Sequence, residues 1–255
     1  MDSLETRLAR SFGDAAMVYA AHTSVQAQAR ARLWQMSLRH LPQGPLLWAD
    51  LGCGDGALAA HLAARWGPGL GLDIAAPMLA LARRGASGLF VQASFNALPL
   101  RPASMAALFS NFALQWGTAA LMPALADVLE TDGLLALALP VAGSLQELAE
   151  AWAMVGRTAP LRPLPSADDW QQAVRVAGLR LLAVEEADLV SEHASAVVAL
   201  RSLKASGAGV YERPARAGLL GRIAYQRILH ALEDASGRCR LRYRVLWLLA
   251  RKEEK

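Results

Sequence analysis

The stretch Asp50-Leu51-Gly52-Cys53-Gly54-Asp55-Gly56 packs three glycines and two carboxylates into one short segment. Glycines at a strand-to-helix turn let backbone approach a ligand closely, and an acid about twenty residues on, here Asp73, can grip ribose hydroxyls. That much suits any nucleotide cofactor, and Gly52-x-Gly54-x-x-Ala57 even satisfies the dinucleotide pattern. Two carboxylates argue otherwise. Asp55 lies within the loop where a pyrophosphate would sit, and Asp50 comes two residues before the first glycine. Carboxylates repel phosphates and attract an amino group or another cation.

S-adenosylmethionine, which carries both an amino group and a sulfonium, is a cofactor of that kind. A tight structural turn that binds nothing is the plainer alternative. A second group of residues raises a different chemistry. On a helix at about 100° per residue, Arg201 and Lys204 fall inside the same arc as Val197, Leu200 and Leu203, and the opposite side carries Ser195, Ala199, Ser202 and Ser206. Either the long stems snorkel over apolar surface with their heads in water, or the two cations form an anion site in a cleft. The five histidines show no metal-ligand spacing and no nucleophile triad is apparent, so no metal is expected.

These residues need a scaffold, and the composition provides for one. With 255 residues, 54% hydrophobic and 19% charged, the chain can bury a full core. Its two cysteines, Cys53 and Cys239, give no disulfide framework, which fits a reducing cytoplasm. The longest uncharged run, 102–126, holds two prolines and several polar residues, so no membrane segment is expected. The net charge of +4 is uneven: residues 201–255 hold 13 Lys/Arg against 5 Asp/Glu. That basic tail points to an acidic or phosphate-bearing partner, with Arg213, Arg216, Arg222 and Arg227 as candidate contacts. No aromatic-and-basic interleaving accompanies it, so nucleic acid is not expected.

Two amphipathic stretches, 3–20 and 23–41, predict helices. A strand-helix rhythm follows: strands at 45–52, 69–74, 88–93, 105–112 and 133–141, with helices at 56–67, 76–85 and 119–130 between them. Apolar strands alternating with helices imply a mostly parallel sheet covered on both faces. Beyond it come a helix at 144–156, a Pro-rich loop, a helix opened by the Ser-x-x-Asp cap of Ser166 and Asp169, a strand at 178–190, an inserted helix around 200–210, a long helix at 218–236 and a last strand at 239–251.

The glycine loop, Leu72-Asp73-Ile74 with Pro77-Met78-Leu79, and the Leu98-Pro99-Leu100 turn resemble the class I S-adenosylmethionine-dependent methyltransferases over about residues 45–140. A narrower resemblance runs nearly the whole length. Phe12-Gly13, Tyr19 and His22, Ser110-Asn111 with Gln115-Trp116, Gly143-Ser144-Leu145 with Glu147-Leu148, Arg201-Ser202-Leu203-Lys204 with Gly207-Ala208, and Tyr243 are similar to the malonyl-[acyl-carrier protein] O-methyltransferases, the BioC-type enzymes of biotin synthesis.

The resemblance implies a single domain: an N-terminal helical cap at 1–44, a cofactor-binding core at 45–140, and a substrate-side half at 141–255 with a lid inserted around 191–212. It implies an α/β fold with a seven-stranded, Rossmann-like sheet. Asp50 and the backbone of Gly52, Gly54 and Gly56 would cradle the methionine end of the cofactor, Asp73 the ribose and Ile74 one face of the adenine. Asn111 would lie at the sheet's C-terminal edge. Ser94-Phe95 departs from the pattern, since relatives usually carry Asp before the hydrophobic residue to hold the adenine amino group. Arg201 would orient the substrate carboxylate with help from Lys204, while Tyr19 and His22 could close the pocket from the other side. The partner implied is a monomeric enzyme's substrate, a malonyl thioester on acyl carrier protein. A different small-molecule acceptor, or a catalytically silent assembly factor for which Ser94 is the best argument, are the alternatives.

Overall fold

The computed structural model describes residues 3–16, 23–41, 43–204 and 220–254. Tyr19, His22, Gly207, Ala208, Arg213, Arg216 and the outer part of the expected lid lie outside the described residues.

The strands are β1 (Trp48–Leu51), β2 (Gly69–Asp73), β3 (Gly88–Gln92), β4 (Met105–Asn111), β5 (Leu129–Pro140), β6 (Leu179–His193) and β7 (Cys239–Lys252). They form one seven-stranded sheet in the order β3-β2-β1-β4-β5-β7-β6. β1 to β5 pair in parallel, and β7 runs antiparallel to both β5 and β6. The helices are α1 (Leu4–Ala15), α2 (Ser24–Ser37), α3 (Ala57–Trp66), α4 (Ala76–Gly85), α5 (Met122–Val128), α6 (Gln146–Ala153), α7 (Ala167–Val176), α8 (Ala196–Leu203) and α9 (Arg222–Leu232).

Strand periodicity divides the core in two. On β5 and β7, Leu134, Ala136, Ala138, Val245, Trp247 and Leu249 face one side, where they pack with residues of α2, α3 and α4. Their neighbours Leu135, Leu137, Leu139, Leu246, Leu248 and Ala250 face the other, with α5 and α7. α2 is pinned to its face by Trp247, whose indole Nε1–H donates to the Ala29 carbonyl at 2.9 Å. α7 opens with the capping box expected from sequence: Ser166 Oγ accepts the Asp169 N–H, and the Asp169 carboxylate accepts the Ser166 N–H at 2.7 Å.

Two elements differ from their sequence expectation. The helix expected over 119–130 is a 3-10 turn followed by the short α5, because the carbonyls of Asp127 and Val128 accept the N–H groups of Ala103 and Ser104 at 2.8 and 2.9 Å. That docking ends the helix against the start of β4, and Leu129 and Glu130 belong to β5 instead. α8 forms, with Ser195 as its N-cap, but turns the other way round. Its buried residues are Ala196, Ala199, Ser202 and Leu203, packed in a third cluster with Ile228, Leu232, Cys239 and Leu241. The small side chains permit close approach to α9 and β7, so Arg201 and Lys204 are exposed.

Candidate active site

The sheet reverses its strand order between β1 and β4, and open α/β sheets bind ligands in the crevice outside the carboxyl ends of their strands at such a point. Here the crevice is walled by Gly52, Gly54, Asp73, Ile74, Ser94, Phe95 and Asn111, with Leu4, Glu5, Leu8 and Phe12 of α1 along one side. An adjoining recess shares Gly52, Gly54 and Asn111 and adds Thr23, Gln26, Arg30, Asp50 and Asp55.

The loop owes its shape to Asp73. Its Oδ2 accepts the Gly54 N–H at 2.9 Å and its Oδ1 accepts the Ala75 N–H at 2.8 Å, which ties the loop after β1 to the end of β2. A carboxylate has about four lone-pair positions, so Asp73 keeps capacity for a ligand hydroxyl. Burial raises the Asp73 pKa, and the backbone donors oppose that rise. Gly56 does not line the crevice; it closes the loop at φ +80°, where a Cβ would lie 2.8 Å from Ala82 of α4. That approach lets α3 start directly beneath the loop.

Asp50 is the electrostatic centre. It is 1% exposed, and its Oδ2 has no hydrogen-bond partner. Burial first, and the neighbouring Asp73 next, push its pKa up to about 8, while Arg30 pulls the other way. Asn111 Nδ2 donates to the Gln26 carbonyl at 3.2 Å, which leaves Asn111 Oδ1 buried and unpartnered as well. Two unsatisfied buried acceptors around one recess define a place for a donor, preferably a cationic one. Phe112, the next residue, is held at φ +55°, a region costly for an aromatic residue and one that clusters at ligand sites.

The structure thus brings Asp50, Gly52, Gly54, Asp73, Ile74, Ser94, Phe95 and Asn111 together. Neither Arg201 nor Lys204 lines the crevice or the recess. Among the lining residues, Glu5, Arg30 and Phe112 were not singled out from the sequence. Glu5 reads as an ordinary first-turn acid of a capped helix, and Arg30 sits among the alternating polar residues of Gln26-Ala27-Gln28-Ala29-Arg30, so neither has a local signal.

Residues 49–133 match the family described as a methyltransferase domain. The chain is 30% identical over 247 residues to the malonyl-[acyl-carrier protein] O-methyltransferase of Erwinia pyrifoliae, spanning 94% of this chain and 90% of that protein. It is 33% identical over 236 residues to the enzyme of the same name from Alcanivorax borkumensis, spanning 89% and 78%. The chain belongs to the malonyl-[acyl-carrier protein] O-methyltransferase family. Among solved structures, the YcgJ protein of Bacillus subtilis shares the fold with a TM-score of 0.63 at 16% identity, over 88% of this chain and 98% of that one.

In this methyltransferase, helices approach the crevice from two sides. The α6, α8 and α9 cluster reaches it through Tyr243, which packs against that cluster and lies 6.2 Å, ring centre to ring centre, from Phe112. On the other side Phe12 of α1 meets Trp116 edge to face at 5.9 Å. Among the described residues no helix is long and apolar enough to cross a membrane, and no cluster of His, Cys, Asp or Glu is arranged to hold a metal ion.

Proposed function

We propose that this chain transfers a methyl group from S-adenosylmethionine to the free carboxylate of a malonyl thioester on acyl carrier protein, yielding the methyl ester that starts pimeloyl synthesis for biotin. The observation that carries the cofactor assignment is the pair of buried, unpartnered acceptors, Asp50 Oδ2 and Asn111 Oδ1, beside the glycine loop. They suit the ammonium of a methionine moiety, and Arg30 in the same recess suits its carboxylate. Asp73 would take the ribose hydroxyls, and Ile74 and Phe95 the flat faces of the base.

When bound, S-adenosylmethionine supplies a methyl group on a sulfonium. The chain's own task is to hold a carboxylate oxygen in line with that methyl and to keep water out. Leu4, Leu8, Phe12, Phe112 and Trp116 make the walls apolar, which favours a reaction in which an anion and a cation become two neutral products. No side chain has to accept a proton, because a malonyl carboxylate is ionised at neutral pH. Asp50 therefore acts as a holder rather than a base.

For the substrate carboxylate we propose Arg201, assisted by Lys204, with Tyr19 and His22 closing the opposite side. Arg201 is exposed at the end of α8, in the cluster that meets the crevice through Tyr243 and Phe112, and its planar fork can fix a carboxylate plane. The compartment proposed is the cytoplasm, where Cys53 and Cys239, both buried and free, stay reduced. Mass spectrometry of malonyl-loaded carrier protein after incubation with the chain and S-adenosylmethionine tests the reading: a gain of one methyl group supports it. An unmodified malonyl group alongside tight cofactor binding would redirect it to another acceptor.

A further inference from the structure

Glu5 reaches across the crevice. From the first turn of α1 its Oε1 accepts hydrogen bonds from Ser94 Oγ at 2.5 Å and from Asn96 Nδ2 at 2.7 Å. Ser94 Oγ in turn accepts the Asn96 N–H at 3.0 Å, so the three groups form one preset cluster. They line the same crevice as Ile74 and Phe95. That end of the crevice therefore has apolar side walls and a carboxylate at its rim. The hydrogen bonds from Asn96 and Ser94 hold the Glu5 carboxyl below its usual range, so it is ionised at neutral pH. An ionised carboxylate accepts hydrogen bonds and donates none. A flat ring fitting this end must then present an N–H at its edge, while a carbonyl oxygen there would be repelled.

We infer that Glu5 is the specificity-determining acceptor for the exocyclic amino group of the adenine, delivered by α1 to the place where Ser94 leaves no acid. The inference rests on the S-adenosylmethionine reading above. It resolves the departure at Ser94: the serine has become a donor that orients a carboxylate contributed by a distant part of the chain. It also gives α1 a job. Ser3 caps the helix by accepting the Thr6 N–H at 3.1 Å, and Phe12 packs with Ala16, Ala75 and Met78, so Glu5 is carried on a capped first turn of a helix that is anchored through Phe12. Recognition of the base and placement of α1 become one event.

The test is calorimetric titration of the full chain with S-adenosylhomocysteine and with S-inosylhomocysteine, in which a carbonyl oxygen replaces the amino group. The parent should bind the adenosyl ligand at least about tenfold more tightly, as expected for loss of a hydrogen bond to a charged group plus repulsion. Glu5→Gln, whose amide both accepts and donates, should narrow that ratio to within about threefold with an unchanged melting temperature. Ser94→Asp alone should weaken the adenosyl ligand, since it sets a second carboxylate against Glu5, and Ser94→Asp with Glu5→Gln should restore both affinity and preference. A ratio unaltered in Glu5→Gln, or Ser94→Asp binding more tightly than the parent, overturns the role of Glu5 while leaving the cofactor assignment standing. Failure of the parent to bind either ligand overturns both.

Discussion

Gly52 and Ala113 meet so closely that a Cβ on the glycine would lie 2.1 Å from the alanine Cβ, and Gly52 sits at φ +73°. The end of β1 and the turn after β4 thus touch in the wall of the crevice. Gly52→Ala should destabilise the fold by about 3 kcal/mol or more, from left-handed strain of about 1 kcal/mol plus overpacking. Gly52→Ala with Ala113→Gly removes the overlap and should recover all but the strain. Urea melts of the two variants decide this; equal stability of Gly52→Ala and the parent would contradict the contact.

Protons should report on ligand binding. Burial, with Asp73 beside it, pushes the Asp50 pKa up to about 8, so at pH 7 most of the free protein holds Asp50 protonated. A bound ammonium favours the ionised form, so binding expels the proton and affinity rises with pH up to about 8, by at most about tenfold per unit. Above that the ligand's own amino group loses its charge and the gain ends. Calorimetry at pH 7 in buffers of different ionisation heat should show release approaching one proton per S-adenosylmethionine, and none in Asp50→Asn. Proton uptake by the parent would remove Asp50 from the site.

The sheet and the glycine loop were legible because each signal is local. A short apolar run such as Gly133-Leu134-Leu135-Ala136-Leu137-Ala138-Leu139, placed in a strand-helix rhythm, reads as a strand buried on both faces, and Asp73 follows the first glycine at the spacing a βαβ unit requires. Helix faces were less legible. The arc of α8 that holds Leu200 competes with one holding Ala196, Ala199 and Ser202, and hydrophobicity prefers the first. Packing prefers the second, since small residues allow α9 and β7 to approach, and nothing in α8 announces that neighbour. Glu5 was invisible for the same reason: its partners are 89 and 91 residues away.

The basic tail divides once its partners are seen. Arg238, Arg240, Arg242 and Arg244 of β7 and the turn before it pair with Glu192, Asp188, Glu147 and Glu186, mostly acids of the adjacent β6. Exposed pairs of this kind contribute little to stability, yet they leave these arginines committed. Arg222 and Arg227 of α9 are exposed and make no ion pair among the described residues. If α9 docks an acidic carrier protein, Arg222→Glu with Arg227→Glu should raise KM for malonyl-loaded carrier about tenfold, with kcat and cofactor affinity unchanged, and the parent's KM should rise with salt. A salt-independent KM would assign the charge to solvent.

Arg201 separates the substrate proposal from a plain surface charge. Because α8 buries Ala196, Ala199, Ser202 and Leu203 and leaves Arg201 exposed, Arg201→Met should leave the melting temperature nearly unchanged under either reading. Activity is where they part. If the guanidinium orients the malonyl carboxylate, the variant loses one partner of a desolvated pair, which costs about 2 to 5 kcal/mol. Catalytic efficiency on malonyl-loaded carrier protein should then fall by roughly 30-fold or more. Arg201→Lys should rescue it only in part, since a point charge does not fix the carboxylate plane. Cofactor affinity should stay at the parent value in both variants, because α8 lines neither the crevice nor the recess. Parent-level efficiency in Arg201→Met would move the carboxylate to other side chains and return Arg201 to the solvated surface.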